Sequence, residues 1–131
     1  MRIQDVNILI VDDVNAIRVQ IRELLKNVGF ERVILSSNGL EARNFLQEDD
    51  IHLILCDWHM QPMDGLELLK YCRTSKKYQD VGFIMVTAES TKELVVQAVT
   101  HGTDDYMVKP LTVEGIQTKV MAVLLKKRIV S

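Results

Sequence analysis

Short runs of apolar residues alternate along the chain with stretches in which apolar residues recur at helical spacing. The runs predict five strands: Val6–Val11, Val33–Ser36, Ile51–Cys56, Gly82–Val86 and Tyr106–Val108. The middle three are nearly continuous in aliphatic residues, which is typical of strands buried on both faces of a parallel sheet. Each predicted strand is followed by a stretch with the period of an amphipathic helix.

Residues that commonly begin or end helices mark the limits of these stretches. The first helix is expected to end before Gly29, in the place of a left-handed residue. The second runs from about Gly39 to Gln47, and the third follows Asp64 as its N-cap. The fourth is expected to stop at Gly102, and the fifth begins near Thr112.

Strict alternation of strands and helices predicts one α/β domain over residues 1–131, a parallel sheet with helices on both faces. The net charge of −2 argues against a nucleic-acid binder, and no apolar run is long enough for membrane insertion. Cys56 and Cys72 lack metal-ligand spacing and are expected to be free thiols in a reducing compartment. These features predict a cytoplasmic protein.

Polar residues stand where four of the predicted strands end. Asp12 and Asp13 follow the first strand, Asp57 the third, Thr87 the fourth and Lys109 the fifth. Each has an ordinary explanation when taken alone: a helix N-cap for the first two, then a turn residue, a buried hydroxyl and a solvated surface charge. The carboxyl ends of parallel strands share one edge of the sheet, so all five are expected to cluster there.

Three carboxylates brought together repel one another unless positive charge is added. Lys109 offsets part of that charge, and a divalent cation would offset the rest. Oxygen ligands without histidine or cysteine side chains favour Mg²⁺ over Zn²⁺. A carboxylate beside Mg²⁺, a lysine and a hydroxyl can accept a phosphoryl group, so the pattern predicts a phosphoryl acceptor site.

Four ordered motifs carry a resemblance that covers essentially the whole chain: ILIVDD ending at Asp13, CDWHMQPMDGLELLK from Cys56, MVTAES from Met85 and GTDDYMVKP from Gly102. Together they resemble the response-regulator receiver family, and the second and third are most similar to chemotaxis regulators of the CheY type. The resemblance implies a flavodoxin-like fold with strand order 2-1-3-4-5.

The same resemblance implies a role for each matching acidic residue. Asp57 would be the phosphoacceptor and a Mg²⁺ ligand, Asp13 a direct ligand, and Asp12 the holder of a metal-bound water. The backbone carbonyl of His59 would complete the protein ligands. A carbonyl ligand does not depend on the side chain at that position.

Further roles follow for the residues of the last two motifs. Thr87 and Lys109 would contact the phosphoryl group, and the lysine would be aimed into the site by a cis bond to Pro110. Tyr106 matches the aromatic residue whose rotamer accompanies activation, so Thr87 and Tyr106 would form the switch. Glu89 and the residue at position 59 would flank the phosphoryl group and influence how fast water removes it.

The chain departs from the family in the loop after Asp57. Proline usually follows the methionine directly, whereas here Gln61 follows Met60 and Pro62 comes next, so the loop path is expected to differ. His59 stands where chemotaxis relatives usually carry asparagine. It is expected to be a solvent-exposed residue at the mouth of the site, in preference to a general base or a transition-metal ligand.

The favoured function is a stand-alone response regulator, a monomer or weak dimer, phosphorylated by a partner histidine kinase. It would catalyse only its own phosphoryl transfer and slow autodephosphorylation, so it is not expected to be a true enzyme. Output would pass through a face formed by the fourth helix, fifth strand and fifth helix, including Lys92, Val96, Tyr106 and Lys119. The resemblance suggests a flagellar motor switch protein as the target.

Three alternatives were weighed against this function. A receiver fragment of a larger regulator would have the same sequence features. A phosphatase with an aspartyl nucleophile would favour an acidic residue two positions after Asp57, where His59 stands. A flavin- or nucleotide-binding domain would need a phosphate loop after the first strand, but Asp12 and Asp13 occupy that place, which excludes it.

Overall fold

Five strands and five helices alternate along the chain in the computed structural model, which describes all 131 residues. A short 3-10 turn, Ile3–Asp5, precedes them. The strands are β1 (Asn7–Val11), β2 (Arg32–Ser36), β3 (Leu53–Cys56), β4 (Gly82–Thr87) and β5 (Asp105–Val108). The helices are α1 (Asn15–Val28), α2 (Gly39–Glu48), α3 (Gly65–Thr74), α4 (Lys92–Thr100) and α5 (Val113–Lys126).

The strands form one parallel sheet in the order β2-β1-β3-β4-β5. The order in which strands are added to the sheet reverses after β2, because β3 pairs with the other side of β1. The predicted fold class and strand order are therefore confirmed. Such a reversal leaves a crevice at the carboxyl ends of β1 and β3, which is where parallel α/β sheets place their functional groups.

Side chains alternate between the two faces of the sheet, and each face has its own buried cluster. Ile8 and Ile10 point toward α1 and α5, whereas Leu9 and Val11 point toward α2, α3 and α4. Every residue of β3 and β4 is buried. This explains why their sequences are continuously apolar. None of the five helices combines the length and apolar character that crossing a bilayer requires.

Capping hydrogen bonds and left-handed glycines set the ends of the helices, and most of these ends were predicted. Gly29 adopts φ 118° and donates its N–H to the carbonyl of Leu25, which ends α1. Asp64 and Glu67 form a reciprocal capping box at the start of α3. The prediction that α4 stops at Gly102 is correct to within two residues: Thr100 is the last helical residue, and Gly102 follows in a left-handed turn with φ 97°.

Strand limits differ from the predicted ones by one or two residues. β3 begins at Leu53 instead of Ile51, because the Nδ1 atom of His52 accepts the backbone N–H of Asn7 at 2.8 Å. A side chain thus replaces a main-chain acceptor at that point. β1 begins at Asn7, one residue later than predicted, because Val6 completes the preceding 3-10 turn through its N–H. Neither change moves a residue at the carboxyl ends of the strands.

Candidate phosphoryl acceptor site

Asp57 lies one residue beyond β3, and its backbone N–H donates to the carbonyl of Val11 at 2.8 Å. This bond continues the sheet and fixes the residue in the crevice beside β1. Its side chain is only 11% exposed. Burial raises the pKa of Asp57, Lys109 opposes that effect, and the carboxylate of Asp12 adds to it. The net direction is upward because desolvation outweighs the nearby lysine.

Asp12 and Asp13 follow β1 directly and bring two more carboxylates to Asp57. Asp12 is buried and Asp13 is exposed, and one carboxylate oxygen from each of the three lies within 4.8 Å of the others. The alternative that Asp12 or Asp13 is the N-cap of α1 was wrong. Val14 occupies the N-cap without a side-chain hydrogen bond, and the Oδ1 atom of Asp12 accepts the N–H of Val14 at 2.9 Å.

Lys109 reaches into the acidic cluster from the end of β5. Its Nζ atom lies 2.6 Å from Asp12 Oδ2 and 3.6 Å from Asp57 Oδ1, and its side chain is 17% exposed. The alternative of a solvated surface charge was therefore wrong. The peptide bond between Lys109 and Pro110 is cis. One ammonium group thus lies between two of the three carboxylates.

Thr87 ends β4 and is buried beside the site. Its Oγ1 atom accepts the N–H of Glu89 at 3.4 Å. The carbonyl of the same Glu89 accepts the hydroxyl of Tyr106 at 2.6 Å. Partial burial raises the pKa of Tyr106, and the negative charges of Glu89 and Asp57 raise it further. The main chain of Glu89 therefore connects the two residues predicted to form the switch.

His59 and Glu89 meet at the mouth of the site. The Nε2 atom of His59 lies 3.0 Å from Glu89 Oε1, and both side chains are more than half exposed. His59 is therefore exposed, as expected, but it bridges two loops. The Gln61–Pro62 peptide bond in its loop is cis. Beside the carboxylates, this loop forms a depression of about 350 Å³ lined by Asp13, His59, Met60, Gln61 and Asp64.

Two residues of the site were missed from the sequence. The Nη1 atom of Arg18, one turn into α1, donates to the carbonyl of Asp12 at 2.6 Å. Gly65 begins α3 and donates its N–H to the carbonyl of Trp58 at 2.8 Å. A β-carbon at this glycine would overlap the carbonyl oxygen of Asp57 and approach the Cα atom of Trp58 to 3.0 Å. The Asp-Gly pair before an apolar run was the available signal for Gly65.

The assembled groups suit transfer of a phosphoryl group to a carboxylate. The three acidic side chains offer only oxygen ligands, which fits a hard divalent cation. The Nζ atom of Lys109 lies 3.6 Å from Asp57 Oδ1, which is close enough to pair with an oxygen of a phosphoryl group on Asp57. Thr87 provides a buried hydroxyl at the neighbouring strand end. The structure thus brings together the five strand-end residues that the sequence singled out.

Comparison with known proteins agrees with this geometry. A chemotaxis protein CheY homolog of Campylobacter jejuni is 38% identical over 118 residues, which cover 89% of this chain and 91% of that protein. The solved structure of the Vibrio cholerae chemotaxis protein CheY4 superposes with a TM-score of 0.84 at 28% identity, covering 91% of this chain and 98% of that one.

A further solved structure is a receiver domain that is described as part of a histidine kinase. The signal receiver domain of a signal transduction histidine kinase from Syntrophus aciditrophicus has a TM-score of 0.85 at 26% identity. It covers 95% of this chain, and 94% of that domain is matched. The profile of the response regulator receiver domain matches residues 8–121, which include every residue of the site. The chain therefore belongs to the response regulator receiver domain family.

Proposed function

We propose that this protein is a response regulator whose Asp57 accepts a phosphoryl group from a histidine kinase in a Mg²⁺-dependent reaction. The observation that carries the proposal is the meeting of three carboxylates with Lys109 at the carboxyl edge of the sheet. In this proposal the protein is a cytoplasmic signalling protein and not a true enzyme. It catalyses only its own phosphorylation and slow autodephosphorylation.

The acidic residues would hold the cation between them. Asp12, Asp13 and Asp57 supply the carboxylates, and the backbone carbonyl of His59 is the further ligand expected from the family pattern. A bound Mg²⁺ would neutralise charge on the phosphoryl oxygens and orient them. Asp12 is buried and bonded to Lys109, and by the family pattern it would hold a metal-bound water.

Besides the cation, the transfer uses groups of this chain and of the kinase. An oxygen of Asp57 forms the new bond to phosphorus as the phosphorus–nitrogen bond of the kinase phosphohistidine breaks, and the imidazole leaves. Lys109 then pairs with a phosphoryl oxygen, and the hydroxyl of Thr87 donates to another. Thr87 ends β4 and Lys109 follows β5, and the backbone N–H of Lys109 donates to the carbonyl of Thr87 at 2.9 Å.

The output would arise from the link between Thr87 and Tyr106. When Thr87 moves toward the phosphoryl group, the loop of Glu89 moves with it, because Glu89 bonds to both residues. The phosphoryl group therefore shifts the population of Tyr106 rotamers, and with it the face formed by α4, β5 and α5. Structures of the resting and phosphorylated protein that share one Tyr106 rotamer and one partner affinity would contradict this step.

The α4–β5–α5 face has the character of a protein-binding surface. Val96, Val99, Val108 and Val113 are exposed there, and Lys92 is exposed at the start of α4. Lys119 is half-buried and bonds to Asp105 and to the carbonyl of Tyr106. The names of the Campylobacter and Vibrio relatives favour a chemotaxis role, so a flagellar motor switch protein is the first target to test.

A receiver fragment of a larger regulator is the second candidate. The Syntrophus structure supports it, because that receiver domain belongs to a histidine kinase. The acceptor chemistry would be the same in both cases, and only the output would differ. As a separate regulator, the protein is expected to be a monomer or weak dimer.

The central experiment uses the single tryptophan, which is buried beside Asp57. Mg²⁺ should change the fluorescence of Trp58, and a small phosphodonor should change it further only when Mg²⁺ is present. Mass spectrometry should show one added phosphoryl group, which is absent from Asp57→Asn and strongly reduced in Asp13→Asn. A wild-type protein that stays unmodified would contradict the proposal, and rapid turnover of phosphate esters would favour a phosphatase.

A further inference from the structure

The amino-terminal edge of the sheet carries a groove of about 510 Å³, opposite the phosphoryl acceptor site. One wall is the connection from α2 to β3, and the other is the connection from α3 to β4. The floor is apolar: Leu46, Ile51 and Val81 are buried, and Ile129 also lines the groove. Six of the lining residues are exposed, so this is an open channel and not an enclosed chamber.

The rim of the groove is strongly acidic. Glu48, Asp49, Asp50 and Asp80 line it, against the single ammonium group of Lys77. The whole chain carries a net charge of only −2, whereas these four carboxylates and Lys77 alone sum to −3. An acidic rim around an apolar floor attracts cations that also carry apolar groups.

The rim carboxylates are not neutralised by the protein itself. None of the ion pairs in the structure includes Glu48, Asp49 or Asp80, and Asp50 faces only the Nε2 atom of His52 at 3.4 Å. Neither neighbouring lysine pairs with a rim carboxylate: Lys77 lies over the ring of Tyr78, and Lys127 pairs with Asp104 and donates to the backbone carbonyl of Asp80 at 3.4 Å. The carboxylates of the rim are therefore available to a positively charged partner.

We propose that this groove binds a basic segment of a partner protein, in which arginine or lysine alternates with apolar residues. The alternation matches the two features of the groove, because basic side chains would meet the rim while apolar ones meet the floor. Because six of the lining residues are exposed, the open groove favours an extended segment over a small ligand that needs an enclosed site. None of the lining residues belongs to α4, β5 or α5, so this contact is independent of the phosphorylation output.

The test is a chemical-shift titration of the full, isotope-labelled chain with a blocked pentapeptide that alternates arginine with leucine. Mg²⁺ is kept saturating so that the carboxylates of Asp12, Asp13 and Asp57 are occupied. Shifts should centre on the backbone amides of residues 47–52 and 77–81. Peptides with glutamate for arginine, or with glycine for leucine, should produce no such shifts.

Two charge-matched variants separate the groove from the rest of the surface. Asp49→Asn with Asp80→Asn should weaken binding about five-fold, because two exposed charge contacts are lost. Glu93→Gln with Glu114→Gln removes the same charge from exposed first turns of α4 and α5, at the opposite edge, and should leave binding unchanged. Asp57→Asn should bind the peptide as the wild type does.

Three outcomes would overturn the proposal. Equal weakening by both double variants would show attraction to net charge alone. Shifts at the phosphoryl acceptor site, or no shifts at all, would show that the groove does not take such a segment. The same shifts with arginine amide alone would show a site for a small cation. None of these outcomes would bear on phosphorylation of Asp57.

Discussion

At the scale of single residues, Asp57 holds a charge in a setting that disfavours it. Burial and the carboxylates of Asp12 and Asp13 raise its pKa, and Lys109 offsets only part of this effect. When the pKa of an aspartate is higher in the folded state than in the unfolded state, the free energy of unfolding falls as the pH rises. The fall takes place between the unfolded-state pKa and the folded-state pKa. The loss is complete above the native pKa and absent well below the unfolded one.

Asp57→Asn should therefore stabilise the protein at neutral pH without Mg²⁺. The expected gain is on the order of 1 kcal/mol, the interaction of two charges about 4 Å apart in a medium like water. Urea unfolding at several pH values measures it, and the gain should vanish in acid. Asp80→Asn, at an exposed carboxylate with no ion pair, serves as the control and should change little. A gain that persists in acid would contradict the electrostatic cause.

The contact of His59 with Glu89 should slow loss of the phosphoryl group by holding two loops together over the site. His59→Ala should speed dephosphorylation by at most about five-fold, because an exposed pair contributes at most about 1 kcal/mol. Mass spectrometry after removal of the phosphodonor measures the decay. Glu89→Ala should give the same change, and the double variant should decay no faster than either single variant. Additive effects would show that the two residues act separately.

The residues at strand ends could be predicted, but their partners in loops could not. Asp12, Asp57 and Lys109 come together because parallel strands end at one edge, which periodicity alone indicates. The pairing of His59 with Glu89 depends on two loop paths that no period describes. The resemblance marked both residues as neighbours of the phosphoryl group, but not as partners of each other.

At the scale of elements, one arginine joins α3 to two connecting segments, the one from α3 to β4 and the one from α4 to β5. Arg73 donates to the carbonyls of Gly102, Gln79 and Val81 and pairs with Asp104 at 2.9 Å. Both charged side chains are mostly buried. The sequence pattern that predicts α3 gives no sign that a guanidinium on this helix reaches the loop before β5. Such long-range polar contacts depend on tertiary structure and not on local pattern.

Arg73→Met should destabilise the protein by about 2–4 kcal/mol, because three carbonyls lose a donor and Asp104 loses a buried cation. Lys127 remains 3.3 Å from Asp104, which limits the loss. Arg43→Met is the matched control, since Arg43 lies 5.8 Å from the ring centre of Tyr71 and should cost less than about 1 kcal/mol. Urea unfolding of both variants measures the two changes in the free energy of unfolding. Equal destabilisation by both substitutions would show that the hydrogen bonds and ion pair of Arg73 are not its cause.

At the scale of the whole molecule, the two edges of the sheet carry different groups. The carboxyl edge gathers Asp12, Asp13 and Asp57, and the amino edge is held by hydrogen bonds such as that of His52 with Asn7. The fold class and strand order could be predicted because alternating strands and helices allow few arrangements. The acidic groove at the amino edge could not, since it is formed by two connections that are distant in sequence.

Mg²⁺ should stabilise the whole fold, because the three carboxylates come together only in the folded chain. At a concentration 100 times its Kd, the cation should add about 2.7 kcal/mol to the free energy of unfolding. Thermal unfolding with and without Mg²⁺ measures this gain. Asp13→Asn should remove most of it, whereas Asp80→Asn should keep it. An equal gain in both variants would place the cation elsewhere.

The acceptor site also depends on the absence of a side chain at Gly65. It has no functional group, yet its missing β-carbon lets the third helix rest against the main chain of Asp57 and Trp58. Any side chain at this position would collide with the main chain of Asp57, so the acceptor loop or the start of the third helix would have to shift. The geometry of the acceptor site therefore depends on empty space at this position as well as on its charged groups.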